Sequence, residues 1–202
     1  MKLNVGRIIA LADGIFAIAM TLLAVTIDLP KKSQELSVEG LHKFLIGQFQ
    51  EIFNFALSFI LLALFWVIHH HQFHHITHTD KKHLWINMFI FMSVTLVPFS
   101  TSIAGDFPAD WMAQVYFHIN MFVMGVLFYL NWAYATKNKR LVEENLSESE
   151  IAIEKKQLLV TPFVAFIAFL VAFANPHISV YLYILVPIIL SLKRFNFREN
   201  HT

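Results

Sequence analysis

The chain predicts an all-α membrane protein, six transmembrane helices in a single domain over residues 1–202. Composition is the first reason: 57% of residues are hydrophobic and 14% charged, against roughly 25% charged in a soluble domain. Apolar runs near the ~20 residues needed to cross a bilayer recur along the whole length. The polar segments between them are short, which leaves no room for a separate soluble catalytic domain. There is no cysteine, so disulfides, thiolate catalysis and Cys-based metal or iron–sulfur centres are excluded.

The first run, residues 6–29, is too long for a signal peptide and lacks a small-x-small cleavage pattern, so it reads as a retained helix. Further runs fall at 48–71, 84–104, 111–135, 157–174 and 177–193. The last two are short and meet at Asn175–Pro176, either as two crossings or as a tight hairpin. Residues 136–156 are the sizeable polar stretch, either a solvated connector or a short helix with Ser147 as N-cap and Glu150 three residues on. An even number of spans puts both termini on one side. Of fifteen Lys and Arg, twelve fall in the termini and in the loops around 72–83 and 136–156; only Lys31, Lys32 and Lys43 lie in the first loop. The positive-inside rule therefore predicts cytoplasmic termini in a multi-pass protein of the cell membrane.

The first span repays reading face by face. Ala10, Gly14, Ala17, Thr21, Ala24 and Asp28 form one stripe at spacings of three and four. Small residues so arranged let another helix approach closely, which drives association in lipid. One position further round run Leu11, Ile15, Ile18, Leu22, Val25 and Leu29. This bulky stripe faces either lipid or, because its flank suits close helix contact, a symmetry axis where stacked apolar rings gate by dewetting. Arg7 and Asp13 are expensive in a membrane helix. Six residues apart, they project about 120° from one another and ~9 Å along the axis, too far round for a local pair. Arg7 either snorkels to the interface or finds a partner elsewhere; Asp13, deeper, needs one. An antiparallel second span brings Trp66, His69 and His70 to the same depth, supplying an indole donor and imidazoles.

The string Arg7-x-x-x-Leu11-Ala12-Asp13-Gly14, followed by "IFAIAMTLL", resembles the start of the transmembrane protein 175 family of potassium channels. That family carries Arg-x-x-x-Phe-Ser-Asp at the inner end of its first helix. The six-span length, the cytoplasmic termini and the Trp-x-x-His-His pattern at Trp66, His69 and His70 agree with it. The resemblance implies a homotetramer whose first helices surround a central pore. K+ is then the permeant ion, no cofactor is needed, and the partners are other copies of the chain, the lipid bilayer and monovalent cations, with no nucleic acid. This sequence, like that family, lacks a Thr-Val-Gly-Tyr-Gly filter, which implies selectivity from first-helix side chains. Aligned on Asp13, the family's hydrophobic constriction falls on Ile18, Leu22 and Val25 and its Thr layer on Thr21, while Arg7, Asp13, Trp66, His69 and His70 take the place of a structural network. Leu11 and Ala12 replace the motif's Phe and Ser, so that network loses a ring and a hydroxyl here.

An aliphatic constriction offers a partly dehydrated ion no replacement for its water, so more weakly hydrated K+ passes more readily than Na+, and moderate, leak-like selectivity is expected. Asp28 with Glu35 or Glu39 would concentrate cations at the outer mouth, unless the glutamates are simply solvated loop residues. Seven of eleven histidines lie in "HHHQFHHITHTDKKH". They read as a polar helix end, as a pH-sensitive element or, if the helix runs on through His70, His74 and His78, as a weak Zn2+ site. Against the channel stands a secondary transporter of cations or protons using this tract and Asp13. A carrier should show paired repeats with broken helices, and Pro98, Pro162 and Pro187 are not in matched halves. An enzyme would need a catalytic constellation within the spans. Ser58, Ser93, Asn54, Asn87, Asn120 and Asn131 instead suit interhelical hydrogen bonds.

Overall fold

The structure, a computed structural model, describes residues 4–27 and 37–198, with side chains to residue 191. Asp28, Leu29, Lys31, Lys32 and Glu35 lie outside the described residues. Among the described residues five helical lengths are long and apolar enough to cross a membrane: Val5–Val25, Phe49–His75, Lys81–Asp106, Trp111–Lys139 and Glu148–Ala172. A shorter apolar segment, Pro176–Ser191, follows.

Local chemistry explains where each element starts. Helix α1 (Val5–Val25) begins at Asn4, whose side chain accepts from the Gly6 N–H at 2.8 Å, a typical N-cap. Helix α2 (Val38–Gly47), in what the sequence suggests is a simple loop, is capped by Ser37 and runs to within one residue of α3 (Phe49–His75). Its exposed ion pair, Glu39–Lys43 at 2.8 Å, is the i, i+4 kind that supports an isolated helix. The third length is two helices, α4 (Lys81–Thr95) and α5 (Val97–Asp106), with Pro98 in the first turn of α5, where its missing N–H breaks no helical bond. Helix α6 (Trp111–Thr136) starts at Asp110, which caps the Ala113 N–H.

The polar 136–156 stretch ends in a helix. α7 (Glu148–Leu158) starts with a reciprocal capping box between Ser147 and Glu150 and continues after Leu159 into α8 (Val160–Ala172). The fifth apolar length therefore begins nine residues before the expected 157. After Asn175 come α9 (Pro176–Ser179), a 3-10 stretch Val180–Ile184 and α10 (Leu185–Arg198).

α6 occupies the middle, packing on α4, α5, α7 and α8, while α1 stands at one side against α3, α4 and α5. Phe65, Ile90, Met121, Met124, Phe128 and Trp132 form the shared core. The α6–α8 crossing is close: a Cβ added to Gly125 would lie 2.7 Å from Pro162 Cδ, and Ala165, Ala168 and Ala172 are fully buried along α8. Such small-residue contacts are how helices associate in lipid.

His118 secures the final hairpin. Ser179 Oγ donates to the Pro176 carbonyl at 2.7 Å, so the 2.9 Å contact with His118 Nε2 has the imidazole as donor. Nδ1 then accepts from Tyr183 OH at 3.2 Å. A serine nucleophile needs the reverse proton direction; this trio is an anchor.

Candidate functional site

Helix α1 divides into an inner and an outer face. Ile8, Ala12, Phe16, Ala19 and Leu23 are buried against the subunit. This row matches neither stripe singled out from the sequence, because a helix that is apolar all round gives hydropathy no contrast by which to pick its packed face. Both sequence stripes lie mainly on the other side. Ala10, Gly14, Ala17, Thr21 and Ala24 are exposed, and a Cβ on Gly14 would meet nothing within 4 Å. Beside them Ile18, Leu22 and Val25 are 59%, 48% and 77% exposed. Thr21 Oγ1 donates to the Ile18 carbonyl at 2.8 Å, which turns its hydrogen to the helix and leaves its oxygen lone pairs facing outward.

At the N-terminal end of this helix, Asp13 Oδ1 accepts from Trp66 Nε1 at 2.9 Å across the α1–α3 contact. His70 lies beside Trp66, ring centroids 6.0 Å apart, and is exposed. His69 turns the other way. It is buried, lies 6.3 Å from the Phe16 ring and stacks on Phe73 at 4.3 Å. Arg7 is exposed, and among the described residues its guanidinium makes no hydrogen bond or ion pair. Arg7, Asp13, Trp66, His69 and His70 thus share one end of the bundle, but only Asp13–Trp66 is a direct hydrogen bond between them.

His69 opens a buried chain in which Asn87 and Asn131 make the interhelical hydrogen bonds the sequence suggests, while Gln72 and the connections were not legible in it. Asn87 Nδ2 donates to the His83 carbonyl and to Asn131 Oδ1, each at 2.9 Å, so its Oδ1 accepts from His69 Nε2 at 3.2 Å. Asn131 Nδ2 then donates to Gln72 Oε1 at 2.8 Å, and Gln72 Nε2 reaches the Phe128 carbonyl at 3.4 Å. Three helices, α3, α4 and α6, are tied through groups that could not be left unpaired in lipid. His69 and Gln72 are three residues apart, as are neighbours on one helix face, and that spacing was the available signal. Elsewhere Thr101 donates to Ser58 at 2.8 Å and Asn120 to Ser100 at 3.2 Å between helices, whereas Ser93 bonds its own helix at Phe89.

The histidine tract does not continue as a helix. α3 ends at His75, Ile76 is extended, and Ile76 pairs with Val142 while the Thr77 N–H donates to the Leu141 carbonyl at 2.9 Å. His78 therefore leaves the face that carries His70 and His74, and bonds Thr77 at 3.0 Å. Among the described residues no group of three or more His, Asp or Glu is arranged to hold a metal ion. His71 reaches Glu154 of α7 at 3.3 Å.

Against known proteins, residues 7–98 match the family described as "Endosomal/lysosomal potassium channel TMEM175". A potassium channel of Chamaesiphon minutus is 33% identical over 199 residues, covering 96% of this chain and 95% of that one. A potassium channel of Streptomyces collinus is 29% identical over 142 residues, 68% of either chain. Among solved structures, the crystal structure of a lysosomal potassium-selective channel TMEM175 homolog from Chamaesiphon minutus superposes with a TM-score of 0.82 at 27% identity, over 94% of this chain and 97% of that one. A variant of the potassium channel MtTMEM175, bound to a nanobody fusion, shares the fold at 0.61 and 19% identity, over 95% and 93%.

Proposed function

This chain belongs to the TMEM175 family of potassium channels, and from that premise we propose that it is a K+-preferring, leak-like channel whose constriction is built by α1. A channel family is not an enzyme family, which sets catalysis aside. In this reading four copies assemble with six spans each, the short Pro176–Ser191 segment serving as part of the sixth. Both termini are cytoplasmic, in keeping with the distribution of Lys and Arg.

One observation carries the reading: the uncovered face of α1. Ile18, Leu22 and Val25 are 59%, 48% and 77% exposed in one subunit, with exposed Arg7 on the same face and Thr21 beside it, and a lipid-facing helix would not carry that charge. The open Gly14 row suits a neighbouring subunit, and once it is covered the aliphatic row faces the axis. Rings of Ile18, Leu22 and Val25 make the ion shed water without compensation, at a lower cost for K+ than for Na+. Thr21 offers oxygen lone pairs one turn along, because its hydrogen is held by the Ile18 carbonyl. Asp13, Trp66, His69 and His70 set the tilt of α1 rather than binding the ion: Trp66 restrains Asp13, and the His69 chain fixes α3 beside it. No specific observation favours a carrier.

Single-channel recording of Ile18→Asn in liposome patches tests this. A polar ring should raise conductance and lower the preference for K+ over Na+. Conductance and preference like those of the parent protein would rule out the constriction.

A further inference from the structure

Arg7 stands in line with the row assigned to the axis. It precedes Ile18 by eleven residues and Val25 by eighteen. At about 100° per residue it projects within ~20° of Ile18 and along the same direction as Val25, ~16 Å below Ile18. Leu11, exposed, lies between them on the same face, and Arg7 is exposed too. Asp13 cannot neutralise it: on the same wheel Asp13 points ~140° away from Ile18, toward α3, where it is held by Trp66. We infer that the four Arg7 side chains form a cationic ring at the cytoplasmic mouth and set the direction in which the channel passes current best. The inference rests on the proposed axis-facing row of α1.

A fixed positive ring lowers the local concentration of K+ at that mouth and not at the other. Cations leaving the cytoplasm are the ones depleted, so outward current falls below inward current at equal and opposite voltage. For four charges ~10 Å from the ion path, the depletion is roughly seven-fold at ~0.01 M salt, where the Debye length is ~30 Å, and almost nothing at ~1 M, where it is ~3 Å.

The chain has no cysteine, so a thiol introduced at position 7 is unique. Reconstituted wild-type channels in symmetrical KCl should pass about seven-fold less outward than inward current at ~0.01 M and equal currents at ~1 M. Arg7→Cys should remove the asymmetry at low salt, a trimethylammonium thiosulfonate applied on the cytoplasmic side should restore it, and a sulfonate reagent should reverse it. Arg7→Lys should behave as wild type. A wild-type ratio independent of salt overturns the inference even if Arg7→Cys does not assemble, and so do reagents of opposite charge acting alike. Ile18→Cys separates the two readings. If bulky thiol reagents block Ile18→Cys while Arg7→Cys rectifies as wild type, the ring is wrong and the constriction stands; if Ile18→Cys is untouched, the constriction itself fails.

Discussion

Asp80 holds two elements with one side chain. Its Oδ1 accepts from the His83 N–H at 2.9 Å, capping α4, and its Oδ2 accepts from Tyr134 OH at 2.7 Å, tying that cap to α6. Arg140 donates to the same hydroxyl at 2.9 Å and lies over the Tyr134 ring. Burial pushes the Asp80 carboxyl up, but the His83 N–H, the Tyr134 hydroxyl and the Lys82 N–H outweigh it and hold the group below its ordinary value. A carboxyl depressed in the folded state contributes stability above its unfolded pKa of ~3.9 and loses it as pH falls through the lower folded value. Wild type should therefore be more stable than Asp80→Asn at pH 7, and the gap should close in acid below ~pH 4. Thermal unfolding in micelles followed by tryptophan fluorescence measures this; a gap that widens in acid refutes it. Charges such as Asp13 announce themselves in an apolar run because their cost in lipid is high. Asn87 and Asn131 could be marked in the sequence as interhelical hydrogen-bonding residues, but Gln72 is cheap enough singly to go unnoticed, and only their juxtaposition shows who bonds whom.

Helix α1 and the α6–α8 pair illustrate the scale of the element. Most of α1 is apolar on every side, so periodicity found stripes on it but could not say which face packs inward. The α6–α8 crossing was equally silent in the sequence. Gly125 has no room for a side chain, with Pro162 Cδ at 2.7 Å and Pro162 N at 3.0 Å from a built Cβ, whereas at Gly105 the nearest atom is at 3.5 Å. Gly125→Ala should destabilise by about 1–3 kcal/mol through overpacking. Gly105→Ala, in ordinary contact within α5, should be neutral or stabilise by up to ~1 kcal/mol through helix propensity. Unfolding midpoints of the pair in one detergent decide; equal shifts for both would contradict the crossing geometry. Where local chemistry is strong the sequence sufficed, as at the Ser147–Glu150 box that opens α7. The end of α3 was not legible. Nothing in the histidine run marks Ile76 as extended, because its partner Val142 is distant in sequence.

For the whole molecule the testable quantity is assembly. Gly14 lies on a face that the subunit leaves open, with nothing within 4 Å of a built Cβ. Gly14→Leu should leave the fold of one subunit intact and weaken the proposed tetramer, because close helix approach in lipid depends on small side chains. Native mass spectrometry should find four times the 23.4 kDa subunit for the parent chain and smaller species for the variant. A fully tetrameric Gly14→Leu would move the interface elsewhere.

Apolar length and charge distribution were enough to establish a helical membrane protein, since lipid leaves the backbone few ways to satisfy its hydrogen bonds. The Arg7–Asp13 string was enough to point to the family. The short final segment after Asn175 was already marked in the sequence, whereas the α2 helix and the buried row of α1 emerged only in three dimensions. The reason is that inside a bilayer hydrophobicity no longer separates inside from outside. Helix faces are chosen there by shape and by hydrogen bonds between residues far apart in the chain, as when Trp66 meets Asp13 or His69 meets Asn87.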